Sequence, residues 1–347
     1  MRVAVDVMGG DHAPDEILKG CIAAIAQLEP HDEMVLVGPR DLIKEVLDDR
    51  RVRDDRVSIV HASEVIGMNE SPTKAVRSKP DSSIVVAARL GSEKADKRCD
   101  VVLSAGNTGA CVSAAIMHMR RLPSVHRPGI AVTFPSFHGP VVLCDAGANP
   151  EPRPSHLWQY GLMAEIYAKQ TLGITSPRVA QMNIGSEEAK GTDLIKEARD
   201  LLKATPDLNY IGYIEGRDVF DGRADVIVTD GFLGNTLLKM AEGMAKSLFK
   251  AIAQELMSSD PALITQIEPV IKSIYAKNDY HEYGGAPLVG VNGVFFIAHG
   301  SSEARSITAA IRNCRTYVKA GVNQAIIQRL AQVAPMLEAL EAEREPA

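Results

Sequence analysis

Cysteine is sparse in this 347-residue chain: Cys21, Cys99, Cys111, Cys144 and Cys314 are scattered, odd in number, and form no CxxC pair. Such a set argues against a disulfide framework or a thiolate metal site and fits reduced, buried thiols of a cytoplasmic protein. No GxGxxG follows a strand and no GxxxxGK[ST] occurs, so a dinucleotide dehydrogenase of the usual type and a P-loop kinase both lose support. GxSxG and HExxH are missing too, which leaves chemistry done without a protein nucleophile, a metal or a cofactor. No apolar run reaches the ~18 residues that a membrane span needs. The opening MRVAVDVMGGD is too soon interrupted for a signal peptide, so any membrane contact would be peripheral. Basic residues do not dominate, with 38 Lys and Arg against 44 Asp and Glu and a net charge of -6. That balance argues against a general nucleic-acid binder.

Hydrophobic residues make up 46% of the chain, enough for a sizeable core, and the length suits one α/β domain or two lobes. Apolar runs and helical patterns alternate. Strands are predicted at Val3–Val7, Met34–Val37, Val57–His61, Val101–Leu103, Ile130–Phe134, Val141–Cys144, Val179–Met182, Tyr210–Ile214, Val226–Val228 and Val294–Ala298. Helices are predicted at Pro14–Gln27, Asp41–Asp48, Ser82 to Lys94, Leu157–Thr171, Glu187–Lys203 and Leu233 to about Met257. This alternation means βαβ units and a mostly parallel sheet covered on both faces, a three-layer αβα sandwich. We read one broken sheet shared by two lobes of a single catalytic domain spanning 1–347, with a helical excursion near 233–280.

Three segments repeat one design. VVLSAGN (Val101–Asn107), VVLCDAGAN (Val141–Asn149) and VIVTDGFLGN (Val226–Asn235) each place Gly and then Asn just past a buried strand. Tight turns favour these residues in any case, but three at one sheet edge suggest a polar cleft outside the strands' carboxyl ends. At the first turn Asn107 or Thr108 suits a helix N-cap, and Gly106 and Gly109 leave the backbone open. Its free N–H groups and the helix dipole suit an anion, phosphate in particular. Asn183-Ile184-Gly185 ends another strand, with Ser186-Glu187-Glu188 as a helix start and Lys190 close by. Lys190 is either an anion ligand or a solvated surface residue. Arg77 and Lys79 could add positive charge to the cleft. Asn235 opens the long helix, Lys239 lies one turn on, and Lys239, Lys246 and Lys250 form a stripe opposite Leu237, Met244, Leu248 and Ile252. That stripe is either a wet face or a basic rail for an acidic protein or anionic lipid. His299, at a strand end, is a candidate proton donor. Asp6 flanks Met8-Gly9-Gly10 and could orient substrate, and the Gly-rich Gly284–Gly290 segment could be a lid or wall.

Taken together, these motifs resemble the PlsX phosphate acyltransferases. The likeness rests on Val5-Asp6-Val7-Met8-Gly9-Gly10-Asp11, Ser104-Ala105-Gly106-Asn107-Thr108-Gly109-Ala110, Asp145-Ala146-Gly147-Ala148-Asn149 and Asn183-Ile184-Gly185 through Lys190-Gly191. Asp230-Gly231-Phe232, Gly234-Asn235, Gly284-Gly285-Ala286-Pro287-Leu288 and Ala298-His299-Gly300-Ser301-Ser302 complete it. The resemblance implies a fold like the phosphotransacetylases and isocitrate/isopropylmalate dehydrogenases. It implies formation of acyl phosphate from long-chain acyl-acyl carrier protein and inorganic phosphate, feeding phospholipid synthesis. It also implies a cytoplasmic homodimer at the membrane surface, beside the glycerol-3-phosphate acyltransferase that uses the product. On this reading Gly106, Asn107, Thr108, Gly109 and Lys190 hold phosphate. Asn183 or Asn235 donates to the thioester oxyanion, and His299 or Lys239 helps the thiolate leave. Asp6, Gly9, Gly10, Asp145, Asn149, Gly284 and Gly285 line the substrate. A phosphotransacetylase acting on short-chain acyl-coenzyme A is the alternative.

Overall fold

A computed structural model of the chain describes residues 1–136, 138–259, 267, 269–270 and 283–344. Its strands, in chain order, begin with β1 (Arg2–Asp6), β2 (Glu33–Gly38), β3 (Val57–His61), β4 (Val101–Ser104), β5 (Gly129–Ile130) and β6 (Val132–Ser136). They continue with β7 (Gly139–Cys144), β8 (Val179–Met182), β9 (Tyr210–Ile214), β10 (Val226–Val228), β11 (Ala286–Val289) and β12 (Val294–Ile297). Two sheets result, of seven strands in the order β3-β2-β1-β4-β12-β11-β5 and of five in the order β6-β7-β10-β8-β9.

Alternation along each strand builds the layers. In β1, Val3 and Val5 face one core while Ala4 faces another; in β2, Met34 and Leu36 oppose Val35 and Val37 in the same way. Helices Asp15–Ala24 and Ala304–Lys319 cover the first face, and Ser83–Leu90 with Thr108–Ala114 cover the second. The first core does not stop at the sheet boundary. It runs on through Cys144, Trp158, Val179, Leu202 and Val226, so helix Pro154–Leu172 closes both sheets.

One short ribbon joins the sheets. The predicted strand Ile130–Phe134 is divided: Ile130 pairs with Leu288 of β11, and Val132 pairs with Leu143 of β7. Ala131, between them and fully buried, donates to Pro287 O at 3.0 Å. Because β6 and β7 are antiparallel, the carboxyl end of β7 lies at the start of β6, beside the end of β5. Ala146 N–H accordingly donates to Ile130 O at 3.0 Å. On the other side β11 links β5 to β12, and β12 runs parallel to β4. The carboxyl ends of β1, β4, β12, β7, β10 and β8 therefore follow one another along a single edge.

Several boundaries differ from the sequence reading. The helix expected from Glu187 begins at Asp193, because Gly191 has φ +95° and breaks the chain there. The helix expected to reach Lys94 stops at Leu90, where Gly91 packs against Val102 and Met119. Helix Pro72–Ser78 was not expected, although Ser71 followed by Pro72 is an N-cap and first-turn signature. The Gly284–Gly290 segment is not a lid: Ala286–Val289 is a buried strand paired on both sides. The long helix runs Gly231–Ser259, and the rest of the excursion expected to residue 280 lies largely outside the described residues.

All five cysteines are free and buried. Burial pushes the Cys21 and Cys111 thiols up to about 12 and Cys99 up to about 11, so none is a ready thiolate.

We propose that the shared core makes the two sheets one folding unit. Leu36→Ala, in the first sheet, should cost about 2–5 kcal/mol. The single tryptophan, Trp158, packs at the second sheet and donates to Thr205 Oγ1 at 2.8 Å. Its fluorescence midpoint in denaturant should move together with the far-UV midpoint in the variant; separate midpoints would mean separate units.

Candidate active site at the joined strand ends

At the end of β1 the fully buried Asp6 ties the turns after β1 and β4 together. Its Oδ2 accepts from Ser104 Oγ at 2.6 Å, its Oδ1 from Met8 N–H at 3.1 Å, and Ser104 Oγ accepts from Gly106 N–H at 3.0 Å. Burial pushes the Asp6 carboxyl up from the usual range, against the pull of hydrogen bonds from Ser104, Ser83, Met8 and Gly9. A side chain at Gly9 would come within 2.5 Å of Asp6 Oδ2, so the backbone can close there only as glycine. Gly10 has φ +114°, and the next amide, Asp11 N–H, donates to Gly300 O at 2.7 Å. The turns after β1, β4 and β12 are thereby drawn into contact. Asp6 is scaffolding rather than a substrate ligand, because its oxygens face the chain's own donors.

Asn107 is also more structural than expected. Its Oδ1 caps the helix Thr108–Ala114 through Ala110 N–H at 3.1 Å, as the spacing implied. Its Nδ2 reaches Met68 O at 2.9 Å and Glu70 O at 3.1 Å, so the side chain is fully used. That bond lays the 67–71 loop against the strand end. Gly109 then abuts Pro72, and Thr73 Oγ1 lies 3.4 Å from Ser113 Oγ. Among the described residues the amides of Thr108 and Gly109 meet no acceptor on the chain, and Thr108 is exposed. A concave surface lined by Ser71, Thr73, Lys74, Arg77 and Ser78 adjoins this mouth. Lys79 is not free to serve it: Nζ donates to Glu70 Oε1 at 2.6 Å and Val65 O at 2.8 Å.

The second sheet repeats the arrangement around Asp145, at the end of β7 and fully buried. Its Oδ1 accepts from Ile130 N–H at 2.8 Å, Ala148 N–H at 3.1 Å and Gly147 N–H at 3.3 Å; Oδ2 accepts from Asn149 N–H at 2.6 Å. Burial pushes this carboxyl up, and the four amides pull against that. Asp145, like Asp6, holds a turn and leaves no oxygen for a ligand. Asn149 is pinned as well, its Nδ2 donating to Pro128 O and Tyr160 Oη, each at 2.7 Å. Gly231 N–H donates to Asn149 O at 2.8 Å, and Asp230 Oδ1 caps the long helix through Leu233 N–H at 2.8 Å. Asn235, exposed one turn into that helix, stands beside Gly147. Among the described residues its amide has no partner.

At the end of β8, Asn183 is buried and its Nδ2 donates to Lys190 O at 3.2 Å, closing the 183–191 loop. Lys190 is exposed, its stem over Gly185 and its ammonium without a carboxylate partner among the described residues. Lys239 is exposed one turn beyond Asn235. His299, exposed at the end of β12, engages Ser301 through Nδ1, 2.7 Å from Ser301 Oγ and 3.3 Å from Ser301 N, and its Nε2 has no partner among the described residues. Gly284 and Gly285 lead into β11 beside the carboxyl end of β12, packed against Ala310 of helix Ala304–Lys319, where Gly284 leaves no room for a side chain.

Two sheets meeting at their carboxyl ends form the fold of the phosphotransacetylases. The structure from Streptococcus pyogenes superposes with a TM-score of 0.58 over 92% of this chain and 94% of that one, at 15% identity. The phosphotransacetylase from Staphylococcus aureus gives 0.54 over 91% and 94%, at 14% identity. Sequence goes further than fold. The fatty acid synthesis protein family matches residues 1–325. The phosphate acyltransferase of Heliobacterium modesticaldum is 46% identical over 96% of this chain and 98% of its own length. That of Dictyoglomus turgidum is 42% identical over the same shares. The chain belongs to the PlsX family of phosphate acyltransferases and is an acyltransferase.

The two buried carboxylates carry a stability prediction. Asp145→Ala leaves four amides without their acceptor, Ile130 N–H among the buried ones. Each such loss costs about 1–3 kcal/mol where the donor stays dry. The denaturant midpoint should fall by the equivalent of roughly 3 kcal/mol with an unchanged slope. A shift below about 1 kcal/mol would mean that water replaces the carboxylate.

Proposed function

We propose that the chain transfers the acyl group of a long-chain acyl-acyl carrier protein to inorganic phosphate, releasing acyl phosphate for phospholipid synthesis. The carrying observation is that unpaired donors and exposed apolar side chains share one edge. The amides of Thr108 and Gly109, the Asn235 amide and the Lys190 ammonium lie there without partners among the described residues. At the ends of the neighbouring strands β8 and β10, Ile184 is 81% and Phe232 71% exposed, apolar surface suited to an acyl tail.

Inorganic phosphate at neutral pH is already an oxyanion, so the site has to position it rather than activate it. One phosphate oxygen attacks the thioester carbonyl carbon, the C–S bond breaks, and the leaving thiolate takes a proton. Thr108 and Gly109 hold the phosphate, with Lys190 supplying charge. Asn235, with its free amide, donates to the tetrahedral oxyanion, a contribution of about 3–4 kcal/mol in such sites. Asn183 contributes by holding the loop that carries Lys190. His299 presents Nε2–H to the leaving sulfur, with Lys239 as the other donor.

The long helix is the proposed contact with the membrane surface, with a second copy of the chain, and with the acyltransferase that consumes the product. Leu237 packs against the second sheet, so the apolar stripe read from sequence is not all on one free face. Met240, Met244, Leu248 and Ile252 remain exposed, flanked by exposed Lys246 and Lys250. Among the described residues no helix is long and apolar enough to cross a membrane; the proposed contact is a peripheral one.

Lys190→Ala should raise the phosphate KM about tenfold or more with the thermal midpoint unchanged. An unaltered phosphate dependence removes Lys190 from the site. Lys246→Glu with Lys250→Glu should weaken binding to vesicles of anionic lipid, each lost cation being worth about 1 kcal/mol near such a surface. Equal sedimentation of both proteins with vesicles would return that face to solvent.

A further inference from the structure

A positive patch borders the second sheet's edge and takes no part in the roles above. Arg121, His126 and Arg127 precede β5, and Arg153 and His156 begin helix Pro154–Leu172. Arg121 donates to His126 O, His126 Nδ1 lies 3.3 Å from Ser155 Oγ, and the two imidazoles meet edge to face at 6.1 Å. Arg121, Arg127 and Arg153 are exposed, and among the described residues no carboxylate pairs with any of them. His156 registers the excess of charge. Burial first, then the charges of His126, Arg127, Arg153 and Arg121, push its pKa down to about 4. Arg153 N–H donates to its Nδ1 at 3.0 Å, as the neutral ring requires.

Such a concentration of unopposed positive charge, on a chain whose net charge is -6, is a local feature rather than an average one. It is also tied to the strand ends. Asn149, in the turn that ends β7, donates to Pro128 O, one residue from Arg127, and to Tyr160 Oη, one helical turn beyond His156. A protein seated on Arg127 and Arg153 therefore stands beside the turn after β7, where Asn235 meets Gly147.

We propose that Arg121, Arg127 and Arg153 form the docking surface for an acidic face of the protein that delivers the acyl thioester. This rests on the carrier-protein reading above and adds where, and through which charge, the carrier binds. The arginines steer and orient the carrier while the chemistry takes place at the strand ends, so they act on encounter and not on bond breaking.

The test compares the full-length protein with Arg127→Glu/Arg153→Glu and with Arg127→Lys/Arg153→Lys, using acyl carrier protein as the probe. Affinity is measured by surface plasmon resonance at low and at high salt. The Glu pair should weaken binding tenfold or more at low salt, the Lys pair should stay within about twofold, and the difference should shrink as salt screens it. In turnover, the Glu pair should raise KM for the carrier thioester and leave kcat, the phosphate KM and the rate with acyl-coenzyme A unchanged. Carrier binding should also raise the His156 pKa, followed by its ring proton resonances. Equal affinity of wild type and the Glu pair, or no binding by wild type, overturns the proposal. Patch-dependent binding without any acyl phosphate would leave the docking surface standing and overturn the catalytic reading instead.

Discussion

The constraint on which the rest depends is the passage of one extended segment from the first sheet into the second at Ala131. With Ile130 paired to β11 and Val132 paired to β7, the strand reversal between β6 and β7 turns the second sheet's carboxyl ends toward the end of β5. Every parallel strand that ends in a functional turn then finishes along the same edge. Were Ala131 to end one strand without beginning the next, the turns after β4 and β7 would belong to unrelated surfaces.

Once the edge exists, two buried carboxyl groups shape it. Asp6 and Asp145 sit at equivalent places, each fully buried and each collecting donors from a Gly-containing turn. A carboxylate withdrawn from water is costly unless its lone pairs are met, and here backbone amides and a serine hydroxyl meet them. The consequence is a division of labour. Amides drawn inward to the carboxylates fix the turns, and those left over, at Thr108 and Gly109, are the ones open to a ligand. The two carboxyl groups are thus kept dry and bonded to the chain itself, where they order the backbone of the turns.

Much of this was legible in the residues. β3, β8, β9 and β10 fall where alternating or continuous apolar runs place them, and the three Gly-then-Asn turns do end strands at one edge. The crossing was not legible, because Ile130-Ala131-Val132-Thr133-Phe134 reads as one apolar strand and nothing local marks a change of partner. Roles were harder to read than places. A carboxylate or an asparagine after a strand looks the same whether it faces a ligand or its own backbone, and Asp6, Asp145, Asn107 and Asn149 bond the chain's own groups. Ser186-Glu187-Glu188 imitates a helix start, but the left-handed Gly191 that interrupts it depends on a loop closed by Asn183. The arginine patch was in plain view in MRRLPSVHRP, and only the fold joins it to Arg153 across the β7 turn.

The proposed reaction brings phosphate and the acyl thioester side by side at the strand ends. The most direct measurement is incubation of the purified protein with palmitoyl-acyl carrier protein and radiolabelled inorganic phosphate, followed by separation of the lipid products. The account predicts labelled palmitoyl phosphate and one equivalent of free carrier thiol per molecule formed. Thiol released at the same rate without phosphate, or label that never enters the lipid fraction, would contradict it.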